Sequence, residues 1–558
     1  MAVAVVLGVP ALFLALFAYY PLAAIIGESW RDAPSVTAPF VEILAKPLVL
    51  RALGNSALQA SLTALLVAVV GVPAGYILAR YDFPARKLMR VFALVPFFLP
   101  SIVVVVAFVS LYGEGGFLGR WLAPARSLSE GLSGILAVNL FFNLPLVMVL
   151  TATSLEETDA EQLEAAALLG GSRWLHLRRF VWPQARSGVL AGALIAFVYA
   201  FLGYTVPLIV GGATNRTVEV EIFSRFYTYN DFAGAAALAL VQLLVLAGLA
   251  AAFLRWLILH RPTGLAIRYP PPRKRLWAEA SRTESVVVTA GLLLVFGFLF
   301  LPIGALGASA FLETDTGALS IRSFQILFSP ATEEVLYVTT FQVILNTLFF
   351  ACLTALLVVT LGILGAWGMR RLGPRGRWGA DALLFIPLAI SPITIAMGLY
   401  LAWAGRSSLG LAVWPLMLLA HVLVAFPLVV RTLVSSLDRV PEDAVEAAQT
   451  LGSHAPDRLF RVELPLIRRG LMLAAAVGFA TSLGEFAANN LLYPIARPYT
   501  TMTVAIYRLL VTPEMSPDKP FHEAAAAASL LLILLSAAVF FLLTRLPAAR
   551  EARHGRKA

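Results

Sequence analysis

Charge is scarce in this sequence and cysteine almost absent. Only 13% of the 558 residues are Asp, Glu, Lys or Arg, about half the share of a soluble chain. The single cysteine, Cys352, lies in an apolar run. One cysteine excludes an intrachain disulfide and a cysteine-based metal site, and its setting reads as a small buried apolar residue. Low charge combined with 59% hydrophobic residues excludes disorder and a soluble enzyme of several domains. Nor do apolar and polar residues alternate as in a membrane β-barrel. A phosphate-cradling P-loop is missing too. None of the five lysines (Lys46, Lys87, Lys274, Lys519, Lys557) follows a glycine or precedes Ser or Thr.

What is present is a set of long apolar runs, each long enough to cross a bilayer. They lie near 4–27, 54–79, 91–112, 132–153, 188–211 and 233–259, and again near 285–310, 343–368, 380–404, 411–434, 469–492 and 523–546. The first lacks a basic leader and exceeds a signal-peptide core, so it reads as an uncleaved span. The expected fold is an all-α polytopic membrane protein of 12 transmembrane helices. With the N-terminus cytoplasmic, 30 of the 42 Lys and Arg residues fall on the inside segments, as the positive-inside rule requires. Both termini are then cytoplasmic. The net charge of +10 is a topology signal, and nucleic acid is not an expected partner.

The two sets of six runs repeat. Gly54-Asn55-Ser56 and Leu62 to Leu66 match Leu345-Asn346-Thr347 and Leu353 to Leu357. Pro145 aligns with Pro427, and the same register aligns Glu164 with Glu446, Gly170 with Gly452 and Pro183 with Pro465. Six spans per half give both halves one orientation, hence two parallel six-helix repeats with a pathway between them. The expected organisation is a first half at 1–259 with a cytoplasmic loop at 154–187, and a basic linker at 260–284. A second half follows at 285–546 with its loop at 435–469, then a basic tail at 547–558.

Those two loops carry the clearest motif. Acids gather at the start of each: Glu156, Glu157, Asp159 and Glu161 in one, Glu442 and Asp443 after Pro441 in the other. This favours a helix N-terminus. Glu164-Ala165-Ala166 and Glu446-Ala447-Ala448 follow, then Gly170 and Gly452 as helix stops. Each loop closes at Pro183 or Pro465. Joining segments would need no such matched register; docking elements would.

Glu-Ala-Ala, three residues, Gly and a closing Leu-Pro resemble the signature of permease subunits of binding-protein-dependent ABC importers, type I and MetI-like. Two copies in one chain resemble the fused permeases of thiamine and iron(III) importers. The second loop fits the signature fully; the first has Trp182 where the family usually has Leu. The resemblance implies coupling helices around Glu164, Ala165, Ala166, Gly170 and Pro183, and around Glu446, Ala447, Ala448, Gly452 and Pro465. Each would dock one of two separate ATPase subunits at the cytoplasmic face. No cofactor is expected on this chain, ATP and Mg belonging to that partner, and the chain is expected to be non-catalytic. An external substrate-binding protein would deliver the cargo across a bacterial inner membrane. The outer segment Arg216 to Phe223 with Tyr227 to Asp231, and Phe141 to Pro145, resemble thiamine permeases; the outer segment also reads as an ordinary solvated loop.

Polar residues inside spans mark a tentative substrate pathway: Ser482, Glu485 and Asn489, with Tyr204 at the matching place in the first half, and Asn139 aligned with His421. Glu485 reads either as a contact for a cationic cargo, or as a group at the outer interface that pairs with an Arg or caps a broken helix. Asn139, His421, Asn55 and Asn346 read more simply as interhelical hydrogen-bonding groups. A secondary transporter of the major facilitator type is the alternative, although the sequence lacks the Gly-x-x-x-Asp-Arg-x-Gly-Arg-Arg stretch. A membrane-embedded enzyme has no clustered His, Cys or carboxylates to support it.

Overall fold

A computed structural model describes residues 2–31, 33–84, 86–92, 99–156, 178–179, 182–259, 273–313, 317–404, 413–512 and 521–554. Among the described residues eight helices are long and apolar enough to span a membrane. Four belong to the first half: α1 (Val6–Ser29), α2 (Pro47–Arg80), α4 (Gly131–Glu156) and α8 (Phe232–Leu259). Between these lie α3 (Ser101–Tyr112), α5 (Trp182–Phe201), α6 (Thr205–Val210) and α7 (Val218–Phe223). The second half repeats the plan with α9 (Arg282–Phe311), α10 (Thr340–Arg370), α11 (Pro392–Leu399), α12 (Val413–Leu437), α13 (Glu442–Thr450), α14 (Arg468–Leu483), α15 (Ala487–Leu492), α16 (Met502–Val511) and α17 (Phe521–His554).

Eight of the twelve apolar runs are thus continuous helices, and the other four are interrupted. The interrupted ones are the third and fifth of each half. The third breaks before α3, at Pro100, and its counterpart breaks before α11, where Ser391 caps the new helix by accepting from the Thr394 amide (3.1 Å). The fifth breaks at Leu202–Tyr204 between α5 and α6, and its counterpart at Gly484–Phe486 between α14 and α15. Hydropathy alone misses these breaks because the apolar run continues through them. Unwound backbone at membrane depth persists only where protein covers it or where it lines a cavity. The breaks therefore mark places where protein covers the backbone or a cavity opens.

Small residues set the packing within each half. Gly188 on α5 sits so close to α4 that a Cβ there would lie 2.3 Å from Ser154 Oγ. Its counterpart Gly470 on α14 would meet Ser436 Oγ of α12 at 2.2 Å. Gly71 on α2 faces Val147, and Gly362 on α10 faces Val429. Without a hydrophobic effect between helices in lipid, close backbone approach supplies the attraction. Asn55 donates to the Thr214 and Arg216 carbonyls (3.0 Å each), as Asn346 donates to those of Pro498 (3.0 Å) and Thr500 (3.2 Å). The Val218 amide donates to Ser56 Oγ and the Met502 amide to Thr347 Oγ1, both at 2.9 Å. The repeat is therefore structural as well as sequential.

The first helix of each half crosses to the other. α1 packs on α10, with Leu7 against Gly368, and its Pro21 and Ile25 meet Gly398 of α11. α9 packs in turn on α3 and α2. Behind α2, Tyr81–Asp82 (β1) pairs in parallel with Lys274–Arg275 (β2) of the linker. Glu284 accepts from Lys274 Nζ (2.8 Å) and from the Tyr81 hydroxyl. The described end of the linker is thus anchored to the first half. Cys352 is exposed on the outer face of α10 rather than buried, because the small-residue side of that helix is the one that packs inward.

Candidate functional site

The second loop is well defined. Pro441 caps α13, with Glu442 and Asp443 in the first turn, where the helix dipole favours them. The helix ends in a Schellman motif: the Ser453 amide donates to Ala448 O (3.0 Å) and the Gly452 amide to Gln449 O (2.9 Å), with Gly452 at φ +80°. That backbone conformation costs a residue with a Cβ roughly 1–2 kcal/mol. Glu446, Ala447, Gly452 and Pro465 are exposed and Ala448 half-buried. Leu451 (87% exposed) and Phe460 (67%) add apolar surface beside them. Large side chains bared in this way, next to acids on one short helix, make an adhesive face. Gly452→Val is expected to tilt this element. Proteolytic cleavage of this loop should speed up severalfold at normal protein yield, whereas Gly452→Asn, which tolerates the left-handed region, should stay near wild type.

The loop is rooted by ion pairs. Arg377 meets Asp438 at 2.7 Å, Arg370 donates to Val440 O (3.0 Å), and buried Glu463 faces Arg371 (3.3 Å) and Arg458 (3.7 Å). In the first half Glu156, matching Asp438, gathers Arg86 (2.7 Å), Arg90 (2.9 Å) and the linker's Arg273 (3.3 Å). Glu164, Ala165, Ala166 and Gly170 lie outside the described residues. Pro183 is exposed near the start of α5.

Between the halves lies a cavity of about 820 Å³. Pro100, Asn139, Gly203 and Tyr204 line it from the first half, and Arg431, Arg439, Thr481 and Gly484 from the second. Both breaks in the fifth spans thus face it. Arg431 and Arg439 stand on the C-terminal side of α12, next to the loop. Among the described residues no carboxylate lines the cavity. Both arginines belong to the basic bias of the inside segments and not to the expected pathway residues; the signal for Arg431 as a lining group is its place within the tenth apolar run.

Past Tyr204 the halves touch. Asn490 donates to the Tyr204 hydroxyl (2.8 Å), and the Tyr204 and Phe486 rings stack at 5.8 Å. Behind this contact Ser482, His421, Asn489 and Glu485 form one buried polar network. Asn489 donates through Nδ2 to Glu485 O (2.9 Å) and Thr501 (3.1 Å), so its Oδ1 faces His421 Nε2 at 2.8 Å as an acceptor. His421 Nε2 therefore carries the proton, and Nδ1 accepts from Ser482 (2.6 Å). Glu485 is buried, and its carboxylate accepts from the Ala488 amide (2.9 Å) at the start of α15. Asn139 donates to Gln59 (2.8 Å) and also borders the cavity. Of the tentative pathway residues, then, Tyr204 and Asn139 face the cavity, while the other four stand behind its wall.

Most of the outer segment is buried or half-buried rather than solvated, from Thr217 to Phe226, while Tyr227 to Asn230 are exposed. Glu219 and Glu221 are buried on α7, Glu219 accepting from Gln242 (2.6 Å) and Glu221 pairing with Arg225 (2.9 Å). Asp231 bonds Arg225 (2.7 Å) and Lys46 (3.4 Å). Burial alone would raise its pKa, but the Gly234 amide and these two cations hold the carboxyl below its ordinary value. The charges of this segment pair internally instead of standing in water.

Two repeats of apolar helices, interrupted spans around a central cavity and a short loop helix with exposed apolar side chains beside it define a class: a polytopic helical transport subunit. The chain belongs to the family described as binding-protein-dependent transport system inner membrane component, whose pattern matches it twice, over residues 71–259 and 358–551. It is similar to the thiamine transport system permease protein of Haemophilus influenzae, 28% identical over 444 residues covering 76% of this chain and 78% of the relative. The protein of the same name from Escherichia coli is 27% identical over 440 residues, 77% of this chain and 78% of the relative. The sulfate transport system permease protein of Escherichia coli is 29% identical over 248 residues, 44% of this chain and 87% of the relative.

Proposed function

We propose that this chain is the fused permease of an ATP-driven importer, with both halves of the pathway on one polypeptide. An external binding protein delivers a small solute, the halves rock about their seam, and the solute leaves through the cavity. Two ATPase subunits drive the cycle. One docks at the loop holding Glu446, Ala447, Ala448, Gly452 and Pro465, the other at the loop of Glu164, Ala165, Ala166, Gly170 and Pro183. The observation that carries this reading is the cavity between two repeats, lying beside the exposed face of α13. On the charge bias of the sequence both termini are cytoplasmic, so the cavity is open inward and the Tyr204–Phe486 contact closes the outer end. The twelve-span count and the halves at 1–259 and 285–546 belong to the same proposal.

Thiamine is the leading cargo, because the relatives covering about three quarters of this chain transport thiamine by name; an iron(III) complex is the runner-up. No observation favours a secondary transporter. Proteoliposomes holding the permease, its ATPase and its binding protein are expected to accumulate labelled thiamine only with internal ATP. Accumulation driven by an ion gradient without the ATPase would overturn the proposal.

A further inference from the structure

Five aromatic rings form a continuous ladder across the seam. Tyr227, 41% exposed, stacks on Phe223 at 5.3 Å, and Phe223 leans on Tyr204 at 5.3 Å. Tyr204 stacks on Phe486 across the seam, 5.8 Å and 23° between planes, and Phe486 meets Tyr507 edge-on at 5.3 Å. The first three rings belong to the first half and the last two to the second. Only the Tyr204–Phe486 step joins the halves, and Tyr204 also borders the cavity.

We infer that this seam is a recognition slot for a flat, positively charged aromatic ring. Two facing rings that separate as the halves rock leave a gap bounded by apolar, electron-rich faces. A planar ring entering it replaces the lost ring-on-ring contact on both sides, whereas a compact hydrated ion replaces neither. Cations are favoured over ring faces. Glu219 sits one turn from Phe223 on α7 and accepts from Gln242 (2.6 Å), and Glu485, directly before Phe486, accepts from the Ala488 amide (2.9 Å). The cavity beyond has the opposite character. Arg431 and Arg439 are among its lining residues, and among the described residues no ring pair like that of the slot is.

This inference rests on the importer reading and names the cargo class. The test is the ratio of thiamine taken up to ATP hydrolysed, in proteoliposomes of the whole complex at saturating binding protein. Phe486→Leu is expected to lower the ratio about tenfold, the loss expected from removing ring contacts on a cationic ring, while binding-protein-stimulated ATP hydrolysis stays within about twofold. Phe486→Tyr, which keeps the ring, should restore the ratio. Tyr507→Leu gives the same readout if Phe486→Leu folds poorly. A wild-type ratio in both leucine variants would overturn the slot and leave the importer reading standing. ATP-driven uptake of sulfate or ferric iron in place of thiamine by the wild-type complex would overturn the cargo class itself.

Discussion

Glu164→Lys combined with Glu446→Lys is expected to strip the ATPase from the permease. If the two loops dock the ATPase as proposed, copurified ATPase should fall below about a tenth of wild type, and uptake with it, because each substitution would put a repulsive charge in place of an attractive one at an interface where like charges cost several kcal/mol. Glu446 is exposed on α13 and contributes nothing to the permease's own packing, so the variant should extract from membranes as a single well-behaved species. Glu446→Lys alone should leave an intermediate amount of ATPase, since the other loop still docks. Intact, active ATPase on the double variant would refute the docking role of both loops.

The second large effect concerns folding. Gly188→Leu and Gly470→Leu each push a side chain into the neighbouring helix, where even a Cβ would sit 2.2–2.3 Å from a serine hydroxyl. Overpacking typically costs 1–3 kcal/mol; here the obstruction sits where one helix touches the next, and the whole helix must retreat. Together the two should abolish recovery of folded protein, read as loss of the monodisperse peak after detergent extraction. Gly304→Leu is the control, since nothing lies within 4 Å of that position, and it should behave like wild type. Normal yield of the double variant would mean that these crossings do not hold each half together.

How much of this was legible beforehand depended on how far apart the cooperating residues lie. The helical class, the repeat and the Glu446 loop are local or periodic features, and a single pass along the chain finds them. The interruptions at Pro100, Gly203 and Gly484 were hidden by apolar neighbours that keep local hydropathy high. Asn489 and Ser482 were found as polar residues in a span, but their shared partner His421 is more than 60 residues away. The Tyr204–Phe486 contact joins residues of different halves, and no spacing rule predicts it. Glu219 and Glu221 read as loop charges because nothing in their neighbourhood announces the burial that tertiary packing imposes.

The exchange of first helices has a consequence for how the chain is held together. Since α1 rests on α10 and α9 on α3 and α2, each lobe is clasped by an arm of the other. The peptide connection at 260–284 is then not what keeps the lobes paired; it secures equal supply and correct matching of two pieces that already interlock. Such a clasp also restricts the working stroke. Lobes gripped in this way cannot drift apart, and the freedom left to them is a tilt about the arms, which opens one end only as it closes the other.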